Sequence, residues 1–200
     1  MENWLKAEKF LAKDKYIVPL VKTWGHCTIK PIKKSLYFED LVDAITSQQL
    51  SGKAAKTIFN RVKDCVGGKI SPEAIISKTD QKLRDCGLSW GKVGYVKDLA
   101  KKVKSGELKI KNLDKLSDEE VVDELVSVKG IGRWTAEMFL MFSLGRPDIF
   151  PIDDLGIKKG FEKVVGKRLE GRELSDFSET RWKPYRTVAS WYLWRSLENR

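Results

Sequence analysis

The run Leu125-Val126-Ser127-Val128-Lys129-Gly130-Ile131-Gly132-Arg133-Trp134-Thr135-Ala136-Glu137 restricts the fold of this chain more than any other segment. Upstream of it, Ser117-Asp118-Glu119-Glu120 is a capping box, followed by Val121, Val122, Leu125 and Val126 at helical spacing. Downstream, Arg133 to Leu144 is a strongly apolar helical stretch stopped by Gly145 and Pro147. Only a tight turn fits between the two patterns, so two helices must double back through Gly130-Ile131-Gly132. The glycines there permit positive φ and leave no Cβ between backbone and ligand. The second helix begins at once, and its unpaired N–H groups and positive dipole end suit a phosphate. Lys129 and Arg133 add charge, Thr135 can donate to a phosphate oxygen, and Ile131 would plug the turn into the core. An ordinary helix–helix turn can carry the same tripeptide, so the longer pattern carries the argument.

The rest of the chain reads as helix too. Phe38, Leu41, Val42 and Ile45 fall at i, i+3, i+4, i+7, and Ala55, Ile58, Phe59 and Val62 repeat the spacing after Ser51. Thr79-Asp80 opens a short helix ending at Gly87; Val93, Val96, Ala100 and Val103 mark the next. A further helix runs from about Asp154 to Val165, and Pro184 is placed to begin the last. Gly87-Leu88-Ser89-Trp90-Gly91 joins two helices much as Val128 to Gly132 does. Strand signals are confined to Trp24–Ile32 and Ser35–Phe38, so the fold class is all-α.

The 200 residues carry a net charge of +10, which favours a polyanionic partner such as nucleic acid. Cys27, Cys65 and Cys86 are far apart without CxxC spacing, which argues against a zinc site or a disulfide framework and for a reducing compartment. His26 is the sole histidine, so a Ser-His-Asp triad is improbable. No segment approaches the ~18 apolar residues of a membrane span, and the N-terminus lacks a signal-like apolar region, so the expectation is an intracellular soluble protein.

Phe150-Pro151-Ile152 is an apolar stretch that stops at paired carboxylates, Asp153 and Asp154. One aspartate suffices to cap the helix that follows. The other is then available for chemistry, because a carboxylate in a water-poor site can stabilise positive charge or orient a water.

Together, VKGIGRWTAE, the Asp-Asp pair and the Arg181-Trp182-Lys183-Pro184-Tyr185-Arg186 stretch resemble the helix-hairpin-helix DNA glycosylases, and within them the alkylbase branch of 3-methyladenine DNA glycosylase II type. The resemblance spans roughly residues 38 to 195. It implies two helical lobes with the active site in the cleft between them: about 40–125 as one, 1–39 plus 126–200 as the other. It implies that Asp154, the second of the pair, is catalytic, with Asp153 as cap or supporting acid. One residue, Ile152, separates Pro151 from the pair where the family pattern has none. Bifunctional relatives carry a lysine nucleophile where this chain has Trp134, which implies a monofunctional enzyme that leaves the strand uncut. Trp134 is then a wall of the base pocket, or else core packing. Trp194 occupies the position of a pocket tryptophan, and Met138 stands where some relatives have a tyrosine.

Ser47-Gln48-Gln49-Leu50-Ser51 resembles the loop that fills the hole left by a flipped base, with Gln49 or Leu50 intercalating. Without that resemblance the same residues read as a loop ending in a Ser51 cap. Carbonyls of Val126, Val128 and Ile131 would hold a structural Na+ or K+ at the hairpin; no other cofactor and no iron–sulfur cluster are expected. The implied partner is double-stranded DNA bearing damaged bases, met by a monomer in the cytoplasm, at the nucleoid in a prokaryote or in the nucleus of a eukaryote. A glycosylase for oxidised or deaminated bases, or a non-catalytic DNA-binding module, are the competing readings. Residues 1–35 are left without a role.

Overall fold

The computed structural model describes residues 2–198, with side chains from residue 4 onward. Among them there is no strand, in keeping with the all-α expectation, and no helix long and apolar enough to cross a membrane. The chain divides into two compact units. One holds the described residues up to Pro31 together with those from Leu140 onward; the other spans Ile32–Phe139.

The terminal unit begins with α1 (Glu2–Leu11) and α2 (Val18–Trp24). These helices answer the open question about the N-terminus, since both pack against the last helix of the chain, α12 (Arg186–Arg195). Polar groups fix the join. The Trp4 indole donates to the Ile29 carbonyl, and the Tyr192 hydroxyl donates to the Gly25 carbonyl. Buried Glu8 accepts from the Cys27 N–H at 2.7 Å and pairs with His26 at 2.8 Å. Buried Asp14 accepts from the N–H groups of Tyr16 and Ile17 and pairs with Arg181 at 2.8 Å. Buried carboxylates of this kind are tolerated only when so satisfied.

The unit's core is aromatic. Trp182 is fully buried, with Phe150, Phe161 and Phe177 ranged around it at ring-centroid distances of 5.5 to 6.1 Å. α10 (Leu155–Val165), α11 (Gly171–Trp182) and α12 supply the walls. Thr187 to Leu193 are all buried, the hydroxyls of Thr187 and Ser190 among them, so the middle of α12 is enclosed on every side. It begins at Arg186 rather than at Pro184, because Pro184 lies in a turn closed by the Tyr185 N–H on the Trp182 carbonyl.

The central unit contains α3 (Tyr37–Ser47), α4 (Gly52–Cys65), α5 (Pro72–Ile76), α6 (Asp80–Asp85), α7 (Trp90–Ser105), α8 (Asp118–Val126) and α9 (Arg133–Met138). The segment near Ser35, where strand signals fall, is instead a 3-10 turn leading into α3. Of the residues at helical spacing, Phe38, Leu41, Val42, Ile45, Ala55, Val62, Val93, Val96, Ala100, Val121, Val122 and Leu125 are buried here, Ile58, Phe59 and Val103 are partly buried, and Val126 is exposed. The capping box at Ser117 and Glu120 is fully formed.

This division differs from the expected one: the boundaries fall at 31/32 and 139/140, not near 39 and 126, so the glycine hairpin belongs to the central unit. The reason is local. The Lys129 N–H donates to Asp98 of α7 at 2.9 Å, and Gly130 lies against Tyr95 of the same helix. The apolar run after Arg133 is also not one regular helix, since α9 gives way to a π-helical turn over Phe139–Leu144. Such widened turns recur at functional sites.

Candidate nucleic-acid and catalytic site

In the terminal unit, the sequence around Asp154 folds by capping itself. Asp154 is the N-cap of α10, its Oδ1 accepting from the Ile157 N–H at 2.8 Å. The Trp194 indole N–H donates to the same oxygen at 2.8 Å. Of the two roles expected for Asp153, cap or supporting acid, the cap falls to Asp154 instead, while the Asp153 side chain is 80% exposed and lies 3.9 Å from Lys158. A carboxylate at a helix N-terminus lies against free N–H groups and the positive dipole end of the helix. Two donors on one oxygen also fix its plane, which is what a group acting on a passing cation requires.

The indole is positioned in turn. Gly156 leaves room for it: a Cβ there would come within 2.8 Å of the Trp194 ring. Phe142 stacks on the other side, 5.9 Å between centroids and 30° between planes, and is 39% exposed. The sequence reading missed Phe142. Its signal was an apolar residue in a run where every neighbour had a core role, and only the π-helical turn makes it the one facing out.

In the central unit, the hairpin has two unlike glycines. Gly130 adopts φ +81 and a Cβ on it would lie 2.2 Å from the Tyr95 ring, so both backbone and packing demand glycine. Gly132 is extended (φ −96, ψ 172), and a Cβ on it would meet nothing within 4 Å, so it leaves backbone open to solvent. Positive φ was expected of both and holds for one. Ile131 is buried between them and Lys129 is exposed.

Two expected phosphate contacts need correction or qualification. Thr135 is 7% exposed, so little of it is open to a phosphate. Arg133 is exposed but makes a two-bond pair with Glu119, at 2.8 and 3.1 Å, and sits 3.4 Å from Glu137. Those carboxylates hold its guanidinium charge more firmly still, raising its pKa from an already high value.

Trp134 is 47% exposed, which removes simple core packing as its role. Met138 is partly buried on the same helix. Both belong to the central unit, whereas Asp154 and Trp194 belong to the terminal unit.

Gln49 and Leu50 are exposed at the tip of the loop between α3 and α4. Gln49 has φ +58, the sole described non-glycine residue with positive φ. That conformation costs of the order of 1 kcal/mol and persists only where the surroundings impose it. Ser51 has the extended backbone of an N-cap, but its side chain makes no capping bond. Gln48, not singled out by sequence, donates from Nε2 to the Gly130 carbonyl at 2.8 Å.

With this geometry in hand, comparison with known proteins places the chain. The family model for the HhH-GPD superfamily of base excision DNA repair proteins matches residues 42–183, and the chain belongs to that superfamily. It is 39% identical over 172 residues to DNA-3-methyladenine glycosylase 1 of Schizosaccharomyces pombe, covering 84% of this chain and 75% of that protein. An alkylbase DNA glycosidase-like protein of the same yeast is 34% identical over 200 residues, covering 96% and 93%. Among solved structures, the S. pombe 3-methyladenine DNA glycosylase in complex with abasic DNA matches with a TM-score of 0.82 and 38% identity, over 95% of both chains.

Proposed function

We propose that this protein is a monofunctional DNA glycosylase that removes alkylated bases of the 3-methyladenine and 7-methylguanine type from duplex DNA. The observation that carries the reading is Asp154, a carboxylate fixed by its own helix and by the Trp194 indole N–H. Kinship with alkylbase glycosylases supports the substrate class.

Breaking the N-glycosidic bond sends its electron pair to the base and leaves positive charge on the sugar, as in glycoside hydrolysis. Asp154 stabilises that charge and orients or deprotonates the water that attacks the sugar carbon. A base alkylated on the ring already carries positive charge, so it departs without a proton donor. Trp134 cannot form a Schiff base, so the abasic strand stays intact.

The exposed aromatic face of Trp134 biases recognition toward cationic bases, by roughly 1–2 kcal/mol when desolvated. The central unit grips DNA through the hairpin, with open backbone at Gly132 and charge from Lys129, while Gln49 or Leu50 enters the duplex where the base has left. A monovalent cation fits the hairpin by donor chemistry. The Val126 and Ile131 carbonyls accept no described backbone hydrogen bond, and Val128, which accepts one from the Ile131 N–H, has a second lone pair. Such an ion would add positive charge beside a bound phosphate. The protein acts on chromosomal DNA as a monomer.

The deciding experiment is chromatography of bases released from methylated duplex DNA by wild type and Asp154→Asn. The expected result is release by wild type, loss in the variant, and strands uncut until alkali is added. Equal release by both would sink the assignment of Asp154, and cleavage without alkali would sink the monofunctional reading.

A further inference from the structure

One broad side of α7 holds two loops that sequence reasoning treated separately. Lys92, Tyr95 and Asp98 recur at three-residue spacing, which drifts only slowly around a helix. Asp98 accepts the Lys129 N–H, and Tyr95 fills the space against Gly130, so the second and third of these residues seat the hairpin.

Lys92, at the start of α7, reaches the other loop. Its ammonium donates to the carbonyls of Thr46 at 2.8 Å and Gln48 at 2.7 Å, where α3 ends. These are carbonyls that a helix C-terminus leaves without partners, at the negative end of its dipole. Gln48 then bridges back, its side-chain amide donating to the Gly130 carbonyl across 82 residues of sequence. The next residue is Gln49, in its left-handed conformation, and then exposed Leu50. The circuit Lys92, Gln48 backbone, Gln48 amide, Gly130, Tyr95 and α7 is therefore closed. Burial among these carbonyls leaves the Lys92 ammonium less favoured than in water, so the lysine is held at some cost and does more than decorate a surface.

We infer that Lys92 and Gln48 are positioning residues that set the spacing between the loop tip at Gln49–Leu50 and the phosphate-gripping hairpin, so that the tip enters the duplex in register with the gripped backbone. The inference rests on the reading of that tip as the wedge of a base-flipping glycosylase. Gln48→Ala cuts the bridge to the hairpin at an exposed site. Lys92→Met removes the ammonium but keeps the aliphatic stem, and Lys92→Arg keeps the charge and the donors.

The test uses the whole protein with a duplex carrying an uncleavable abasic analogue and 2-aminopurine beside it, whose fluorescence reports unstacking. Binding to undamaged duplex and single-turnover release of 7-methylguanine are measured in parallel. Lys92→Met is expected to lower the unstacked fraction and the release rate roughly tenfold, the scale of a charge-assisted bond, and Gln48→Ala roughly fivefold, the scale of a neutral one. Binding to undamaged duplex should stay within about twofold of wild type, as the hairpin's phosphate contacts are kept, and Lys92→Arg should recover most of the unstacking.

Wild-type unstacking in both variants would overturn the inference. So would a fall in melting temperature that lowers undamaged-duplex binding and unstacking together, which would mark the two residues as merely structural. If Gln49→Ala/Leu50→Ala unstacks like wild type, the tip is not the wedge and the inference falls, while base release still stands as a separate test of the glycosylase reading. Failure of wild type to release 7-methylguanine would count against that reading alone, because unstacking at the abasic analogue needs no chemistry.

Discussion

The two units hold their candidate functional groups by different means. In the terminal unit, Asp154 is fixed by the helix it starts and by an indole resting on Gly156 of that same helix, over an aromatic core centred on Trp182. In the central unit, two exposed loops hang from a third element, through Asp98, Tyr95 and Lys92 on α7, with Gln48 tying one loop to the other. A reacting carboxylate needs a single orientation and gets it from rigid neighbours. Loops that meet a deformable duplex need correct spacing, and polar ties supply this while leaving the tips exposed.

The comparison can be broken most sharply at Asp154. Asp154→Asn keeps a capping oxygen, so the melting temperature should move little, whereas base release should fall at least about a hundredfold, the scale of a lost transition-state charge contact. A large fall in melting temperature with proportionate loss of release would show that the carboxylate matters mainly as a cap.

Next in size is Arg181→Ala, which leaves the buried Asp14 carboxylate with only the Tyr16 and Ile17 N–H groups. It should cost roughly 1.5–3 kcal/mol in denaturant unfolding, the scale of a hydrogen bond to a charged group. A cost below about 1 kcal/mol would place that pair among solvated surface bridges.

The hairpin glycines sharpen the contrast further. Gly130→Ala must fight both φ +81 and the Tyr95 ring, and should lose both stability and DNA affinity. Gly132→Ala meets nothing within 4 Å and should leave the unfolding midpoint near wild type while weakening binding to abasic duplex. If binding is unchanged, the Gly132 backbone is not where phosphate approaches.

The smallest effect concerns Arg133. Glu119→Ala removes its two-bond partner, so DNA affinity should rise modestly and the salt dependence should steepen by up to about one phosphate contact. An unchanged salt slope would mean that Arg133 does not exchange its carboxylate for phosphate.

How far these features could be read from sequence follows the same divide. The capping box at Ser117, the buried heptad-like positions of α3 and α7, and the hairpin between α8 and α9 are local patterns, and the fold carries them as written. The Asp153–Asp154 pair could be singled out because an apolar run ending in carboxylates is itself local, whereas the choice of Asp154 within it came from the family resemblance. What was not legible depends on contacts across long stretches of chain. Lys92 is one lysine among many until its ammonium is seen on the α3 carbonyls, and Gln48 differs from Gln49 only by what it reaches. Glu8 and Asp14 carry no mark in the sequence, although both are buried with partners supplied from elsewhere. Thr135 is the reverse case, a plausible donor by type that packing leaves buried. Phe142 needed the π-helical turn, which no apolar periodicity announces.

Gly156 carries a consequence for how this site can change over generations. Any side chain at that position would push the indole of Trp194 off the Asp154 oxygen, and losing the indole would leave a hollow above Gly156. The two positions are thus expected to vary as a matched pair: a lineage that gives up the tryptophan is released to enlarge residue 156, and one that enlarges residue 156 first must find the carboxylate another donor.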